Sequence, residues 1–193
     1  MNSRVLNALL GWDVLPAWFA LGSLPLVHAT TYYVITNVLL PWMSASGLHA
    51  VQVLIQMCTG AHLEGDRLAL SAVLVSLALH LLTFYSFLVL LSANGVDNQY
   101  PRRHRPTDDT AKGRLYACHL NQVESFPGFA AAVLAAVTLS SGSAAAPGAW
   151  LHVVFRLAYW VFYASNIPNL RTVAYVGSFQ CSVMIFLEAL KSK

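Results

Sequence analysis

Apolar positions run through this chain in long blocks, broken by short polar stretches. The longest block, residues 68–92, reads LALSAVLVSLALHLLTFYSFLVLLS, with His80 its one ionisable group apart from Tyr85. A helix needs about 20 mostly apolar residues to cross a hydrocarbon core ~30 Å thick, so this block predicts a membrane span. Three more follow, at about residues 115–139, 149–164 and 172–190. The first of these is polar in its N-terminal half and apolar in FAAAVLAAVTL; the second carries Arg156 in its middle. Residues 140–148, SSGSAAAPG, read as a small-residue turn, and residues 165–170, SNIPNL, as a stop at Pro168. Short connections make neighbouring helices antiparallel, which predicts an all-α, up-down four-helix bundle in the membrane.

The first 67 residues are less regular and read as an N-terminal hydrophobic and interfacial extension of a 68–193 membrane domain. Residues 24–42 are a candidate fifth span, weakened by Pro25, Pro41 and the polar Asn37. Residues 48–58 bring Leu48, Val51, Leu54, Ile55 and Cys58 toward one helical face, as in a helix lying at the interface. A cleaved leader ending near Ala29 is disfavoured, because Arg4 is the sole basic residue ahead of the apolar stretch.

Composition agrees with the pattern. Hydrophobic residues make up 57% of the 193 and charged ones 10%, against about 25% charged in soluble domains. The net charge of +3 comes without an aromatic-interleaved basic stripe, which excludes nucleic acid as a partner. Cys58, Cys118 and Cys181 are odd in number and widely spaced, so neither a disulfide framework nor a zinc site is expected. His28, His49, His62, His104 and His152 show no metal-ligand spacing, and His80 reads as an interhelical hydrogen-bond partner. Trp42, Tyr100 and Trp150 suit interfacial belts. Arg102, Arg103, Arg105, Lys112 and Arg114 cluster within residues 94–114, whereas residues 140–148 hold no Lys or Arg. The positive-inside rule therefore puts residues 94–114 in the cytoplasm, the membrane being endoplasmic reticulum in a eukaryote or inner membrane in a bacterium.

Two spans carry polar residues that lipid disfavours by roughly 2.5–3.5 kcal/mol per charge at the bilayer centre. In RLYACHLNQVESFPGF, residues 114–129, Arg114, Ala117, Asn121, Glu124 and Gly128 fall in one arc, with His119 on the opposite side. In RLAYWVFY, residues 156–163, Arg156, Tyr159 and Tyr163 share a face, and Arg171 follows beyond Pro168. One reading is structural: Glu124 and Arg156 neutralise each other while Asn121 bridges helices. The other is a cationic, tyrosine-lined pocket, open toward the basic side, for a small anionic ligand bearing carboxylates.

These segments carry a resemblance. The pattern R-x-x-x-x-H-x-N-x-x-E-x-F-P over residues 114–127, then R-x-x-Y-x-x-x-Y and an arginine opening the next helix, resembles the MAPEG family (membrane-associated proteins in eicosanoid and glutathione metabolism). The run HLNQVESFPGFAAAVLAA, preceded by Asn98, Pro101 and Arg102, looks most like its little-characterised bacterial-type branch. The resemblance spans about residues 68–190. It implies a homotrimer of four-helix subunits that binds glutathione as co-substrate near the cytoplasmic face, without metal. It further implies that Arg114, Asn121, Glu124, Arg156, Tyr159 and Tyr163 contact the peptide and that Arg171 polarises its thiol. The expected activity is that of a transferase or peroxidase on lipophilic electrophiles.

Two positions depart from the family pattern: Ala117 stands where a second arginine is usual, and Ser125 where a tyrosine often follows the glutamate. Both favour the alternative of a non-catalytic, lipid-binding scaffold or regulator on the same fold. A transporter or channel subunit, with Glu124 and Arg156 lining a path, is a third reading, disfavoured by the lack of paired discontinuous helices.

Overall fold

The computed structural model describes residues 26, 28–92, 110–140 and 142–191, and every element among them is helical. The arginine cluster at 102–105, with Asn98, Tyr100 and Pro101, lies outside the described residues. We number the helices α1 (His28–Thr59), α2 (Gly65–Ser92), α3 (Ala111–Leu139), α4 (Gly142–Ala164) and α5 (Pro168–Leu190). α1, α2, α3 and α5 are each long and apolar enough to cross a membrane. α4, the most buried of the five, has 23 residues, about 35 Å at 1.5 Å per residue. It packs against α2, α3 and α5 and touches α1, and these neighbours shelter its polar residues while Val154, Leu157 and Val161 stay exposed.

Local chemistry sets the ends. Thr110 caps α3, its hydroxyl accepting from the Gly113 N–H at 3.3 Å. Pro168 opens α5 at a position where the missing N–H would be unpaired anyway. Gly60, at φ 71°, closes α1 in the left-handed conformation that only glycine adopts at no steric cost. α3 runs through Pro127 unbroken.

Three expectations are corrected. Residues 140–148 are not a turn: α4 begins at Gly142 and continues through Pro147. Lipid supplies no hydrophobic drive between helices, so small residues serve close packing instead. Ala145, Ala146, Gly148 and Ala149 are buried, and a Cβ on Gly148 would stand 3.1 Å from Ile185 of α5. The described residues 28–42 of the candidate span and the stretch 48–58 are parts of one 32-residue helix, long and apolar enough to cross a membrane, so 48–58 is not a separate interfacial helix. Pro41 is absorbed between two wide π-type stretches, Ile35–Leu39 and Met43–Gly47. Thr36 and Asn37 satisfy themselves on the carbonyls of Tyr32 and Tyr33, one turn back, at 2.7 and 2.9 Å. Trp150 is not interfacial: it is 8% exposed and its indole N–H donates to the Leu68 carbonyl at 3.0 Å.

Two further contacts lock the bundle. Asp66, in the first turn of α2, accepts from the Gly142 N–H at 2.7 Å, so a side chain of one helix satisfies the open end of another. A Cβ at Gly177 of α5 would meet the Phe155 ring of α4 at 2.7 Å, so the missing side chain makes room for that ring. Both ends predict measurable stability. Gly142→Ala would drive its Cβ into the Asp66 backbone and should destabilise by about 1–3 kcal/mol. Gly128→Ala meets nothing within 4 Å and should be neutral or stabilising by up to about 1 kcal/mol. Melting temperatures of the two variants in detergent check the contrast.

Candidate functional site

The site grows from α3, where two consecutive amides, Asn121 and Gln122, occupy a membrane-spanning helix. They face Arg156 of α4, which is 0% exposed. Its Nε donates to Gln122 Oε1 at 2.5 Å, Nη1 to Asn121 Oδ1 at 3.2 Å, and Nη2 to the Asn121 carbonyl at 2.9 Å. Gln122 returns a bond from Nε2 to the Arg156 carbonyl at 3.4 Å. One face of the guanidinium lies 4.6 Å from the centroid of the Tyr159 ring, a favourable cation–π distance. The cation is thus solvated by neutral groups.

Among the described residues no carboxylate pairs with Arg156; the ion pairs there are His62 with Glu64 at 2.8 Å and Glu188 with Lys191. The Glu124–Arg156 neutralisation considered from sequence does not form. Glu124 is exposed on the outer side of α3.

The remaining predicted residues continue the chain toward the end where α3 and α5 begin and α4 stops. Tyr159 meets Tyr163 edge-on, centroids 4.9 Å apart. Arg114 donates from Nε to the Tyr163 carbonyl at 3.3 Å. The Arg171 guanidinium stands 4.4 Å from the Tyr163 ring centroid. Asn121, Arg156, Tyr159, Tyr163, Arg114 and Arg171 therefore form one contiguous set, with three cations within it. Glu124 joins through a cavity of ≈ 250 Å³ that Asn121 also lines. His119 turns the other way, against His80 and Phe84 of α2, with Thr83 Oγ1 3.5 Å from its Nδ1.

Sequence reasoning missed Gln122 and the α5 hydroxyls. The signal for Gln122 was its adjacency to Asn121, since two neighbouring amides in a span need two partners. Tyr175, Ser178 and Ser182, at i, i+3 and i+7, form a hydroxyl stripe of α5 facing the same cavity.

The sequence model of the MAPEG family matches residues 68–191, which covers α2 to α5 and every residue of this set. The chain belongs to the MAPEG family. No curated protein and no solved structure matches it. MAPEG membership supports a glutathione-related membrane function of the transferase or peroxidase kind. It also agrees with an integral membrane protein whose α2–α5 bundle is the family's helical core.

The burial of Arg156 makes its amide shell sensitive to deletion. Gln122→Leu leaves Nε without its acceptor, and an unpaired buried donor on a charged group costs about 1.5–3 kcal/mol. A lowered melting temperature in detergent is expected; melting as in the wild type would mean that Gln122 is not what satisfies Arg156.

Proposed function

We propose that this protein is a glutathione-dependent membrane transferase or peroxidase acting on lipophilic electrophiles. The observation that carries the reading is a buried cation, Arg156, held by amides and Tyr159 with no carboxylate among the described residues to neutralise it, while Arg114 and Arg171 both contact Tyr163 nearby. Such a crevice favours an anionic ligand, because a charge in low dielectric gains most from a partner of opposite sign. Glutathione offers two carboxylates for Arg114 and Arg156, one ammonium for Glu124 and a peptide bond for Asn121. Asn121 Oδ1 is engaged by Arg156, which leaves its amide N–H groups to donate to a peptide carbonyl. Tyr159 and Tyr163 would wall the peptide.

Arg171 would act on the sulfur. A free thiol titrates near pH 8.5, and a guanidinium beside it favours the thiolate. In conjugation the thiolate forms the new C–S bond and the leaving group departs with its electron pair. In peroxide reduction the thiolate takes the terminal oxygen, the O–O bond breaks and the alkoxide is protonated. A second glutathione then yields the disulfide and water. The electrophile would arrive laterally from the bilayer.

The same reading treats residues 1–67 as an N-terminal hydrophobic and interfacial extension to the four-helix membrane domain of residues 68–193. It assembles the chain as a homotrimer, the exposed Glu124 face turned to a neighbouring subunit, and sets residues 94–114 in the cytoplasm. The second reading, a lipid-binding scaffold without turnover, draws support from Ala117 and from an apolar cavity of ≈ 440 Å³ where α1 meets Phe155 and Val173.

A thermal titration separates them. Glutathione at about 100 times its Kd should stabilise the wild type by roughly 2.7 kcal/mol, and Glu124→Ala should abolish the shift. Arg171→Ala should keep the shift while losing turnover of a chloronitrobenzene-type electrophile or a lipid hydroperoxide. No shift with glutathione, together with a lipid retained through purification, would favour the scaffold.

A further inference from the structure

Arg156 keeps its whole charge because the acceptors that α3 brings to it, among the described residues, are all neutral. Nη1 and Nη2 donate to Asn121 Oδ1 at 3.2 and 3.3 Å, and Nη2 also to the Asn121 carbonyl at 2.9 Å. Nε donates to Gln122 Oε1 at 2.5 Å. Gln122 is itself buried, at 4% exposed. Its bond from Nε2 to the Arg156 carbonyl at 3.4 Å fixes which way the amide points. A glutamate has the same length and would accept the same Nε bond, but it would cancel the charge. Buried charges are ordinarily paired, and the carboxylate two residues on, Glu124, faces outward. The residue at 122 therefore decides whether the middle of the bundle holds a free positive charge or an ion pair.

That charge lies beside the ≈ 250 Å³ cavity. Asn121 lines the cavity and accepts from Arg156 through Oδ1, so the cation polarises the amide N–H groups left to donate. His152, one turn before Arg156 on α4, lines the same cavity, which puts the wall about 6 Å from Arg156 along the helix axis. At such range and in low dielectric, a unit charge acts on a ligand without touching it. Arg114 and Arg171 add their charges at Tyr163, and Glu124 is the one carboxylate among the residues that line the cavity. Gln122 does not line it.

We propose that Gln122 determines the charge selectivity of the site: by holding Arg156 with a neutral acceptor, it makes the crevice prefer a thiol peptide with free carboxylates over the same peptide with its carboxylates masked. The inference rests on the glutathione reading and deepens it. Gln122 acts through Arg156 and Asn121, so it is a positioning residue and contacts no ligand.

Calorimetry on the full chain in phosphatidylcholine nanodiscs tests this with glutathione and its diethyl ester, which keeps the thiol, the ammonium and the peptide bonds. The quantity read is the ratio of the two Kd values, which a general loosening of the site does not move. The wild type should bind glutathione at least about tenfold more tightly than the diester. Gln122→Glu should bring the ratio to about one or two, chiefly by weakening glutathione. Gln122→Met keeps the length and the neutrality but removes the acceptor; it should melt lower and still hold the wild-type ratio. A purely structural role predicts the reverse order, with the Met variant losing more selectivity than the Glu variant. A wild type that binds the diester as tightly as glutathione overturns the inference whatever the variants do, and so does a Gln122→Glu protein with the wild-type ratio. Either result leaves glutathione binding standing. A wild type that binds neither peptide overturns both the inference and the glutathione reading. If Gln122→Glu does not fold, Gln122→Met decides: a ratio that collapses there means that the amide orders the site rather than sets its charge, and the inference falls.

Discussion

The guanidinium of Arg156, sealed from solvent in the middle of the bundle, sets the terms for the helices around it. A cation in hydrocarbon is tolerated only where its donors are met, and Arg156 meets them on α3 alone: the side chains of Asn121 and Gln122 and the Asn121 carbonyl. That fixes the rotation of α3 as well as its height against α4. Successive residues advance by about 100°, so Arg156 lies in the direction between Asn121 and Gln122. Glu124 then points roughly 110° away from that direction, which is why it faces outward and no internal ion pair forms. The carboxylate and the cation are kept apart by helix geometry.

Around this fixed point the bundle closes by contact rather than by hydrophobic burial, since lipid solvates leucine as well as protein does. The first half of α4 is therefore rich in alanine and glycine, with Gly148 close to Ile185 of α5, while Gly177 of α5 makes room for Phe155. Polar ties do the remaining work of registration. Trp150 reaches the Leu68 carbonyl, Asp66 receives the Gly142 N–H, and Trp160 lies 3.4 Å from Ser86 Oγ. All three join α2 to α4 and its approach.

The spans of α2, α3 and α5 were legible because an uninterrupted apolar run of that length has few other solutions. The polar arc on α3 and the Arg156, Tyr159, Tyr163 face were legible because intramembrane charge is rare and its periodicity is unambiguous. What failed was punctuation. The cluster SSGSAAAPG has the composition of a loop in water, but in lipid small residues mean close helix packing, so the start of α4 was read as a turn. Pro41 similarly suggested a break that two π-type stretches absorb. Gln122 and His152 were hidden for a different reason: burial of a polar group depends on which neighbour lies opposite, and a single chain's periodicity does not say which face meets which helix.

Asn121 stands at the junction of the two features that could hold ligands. Its Oδ1 belongs to the Arg156 shell, while the same side chain lines the cavity that His152 closes. Arg156 and His152 are one turn apart on α4, about 6 Å along its axis. A polar seam thus runs from the end of the bundle near Arg114 and Arg171 inward to the middle of the core, with no apolar layer between its two parts. A ligand held by the cations and one entering from lipid would meet at Asn121. The cost of carrying so many polar groups across the bundle becomes intelligible if the seam exists to bring a water-soluble and a lipid-soluble molecule within a helical turn of each other.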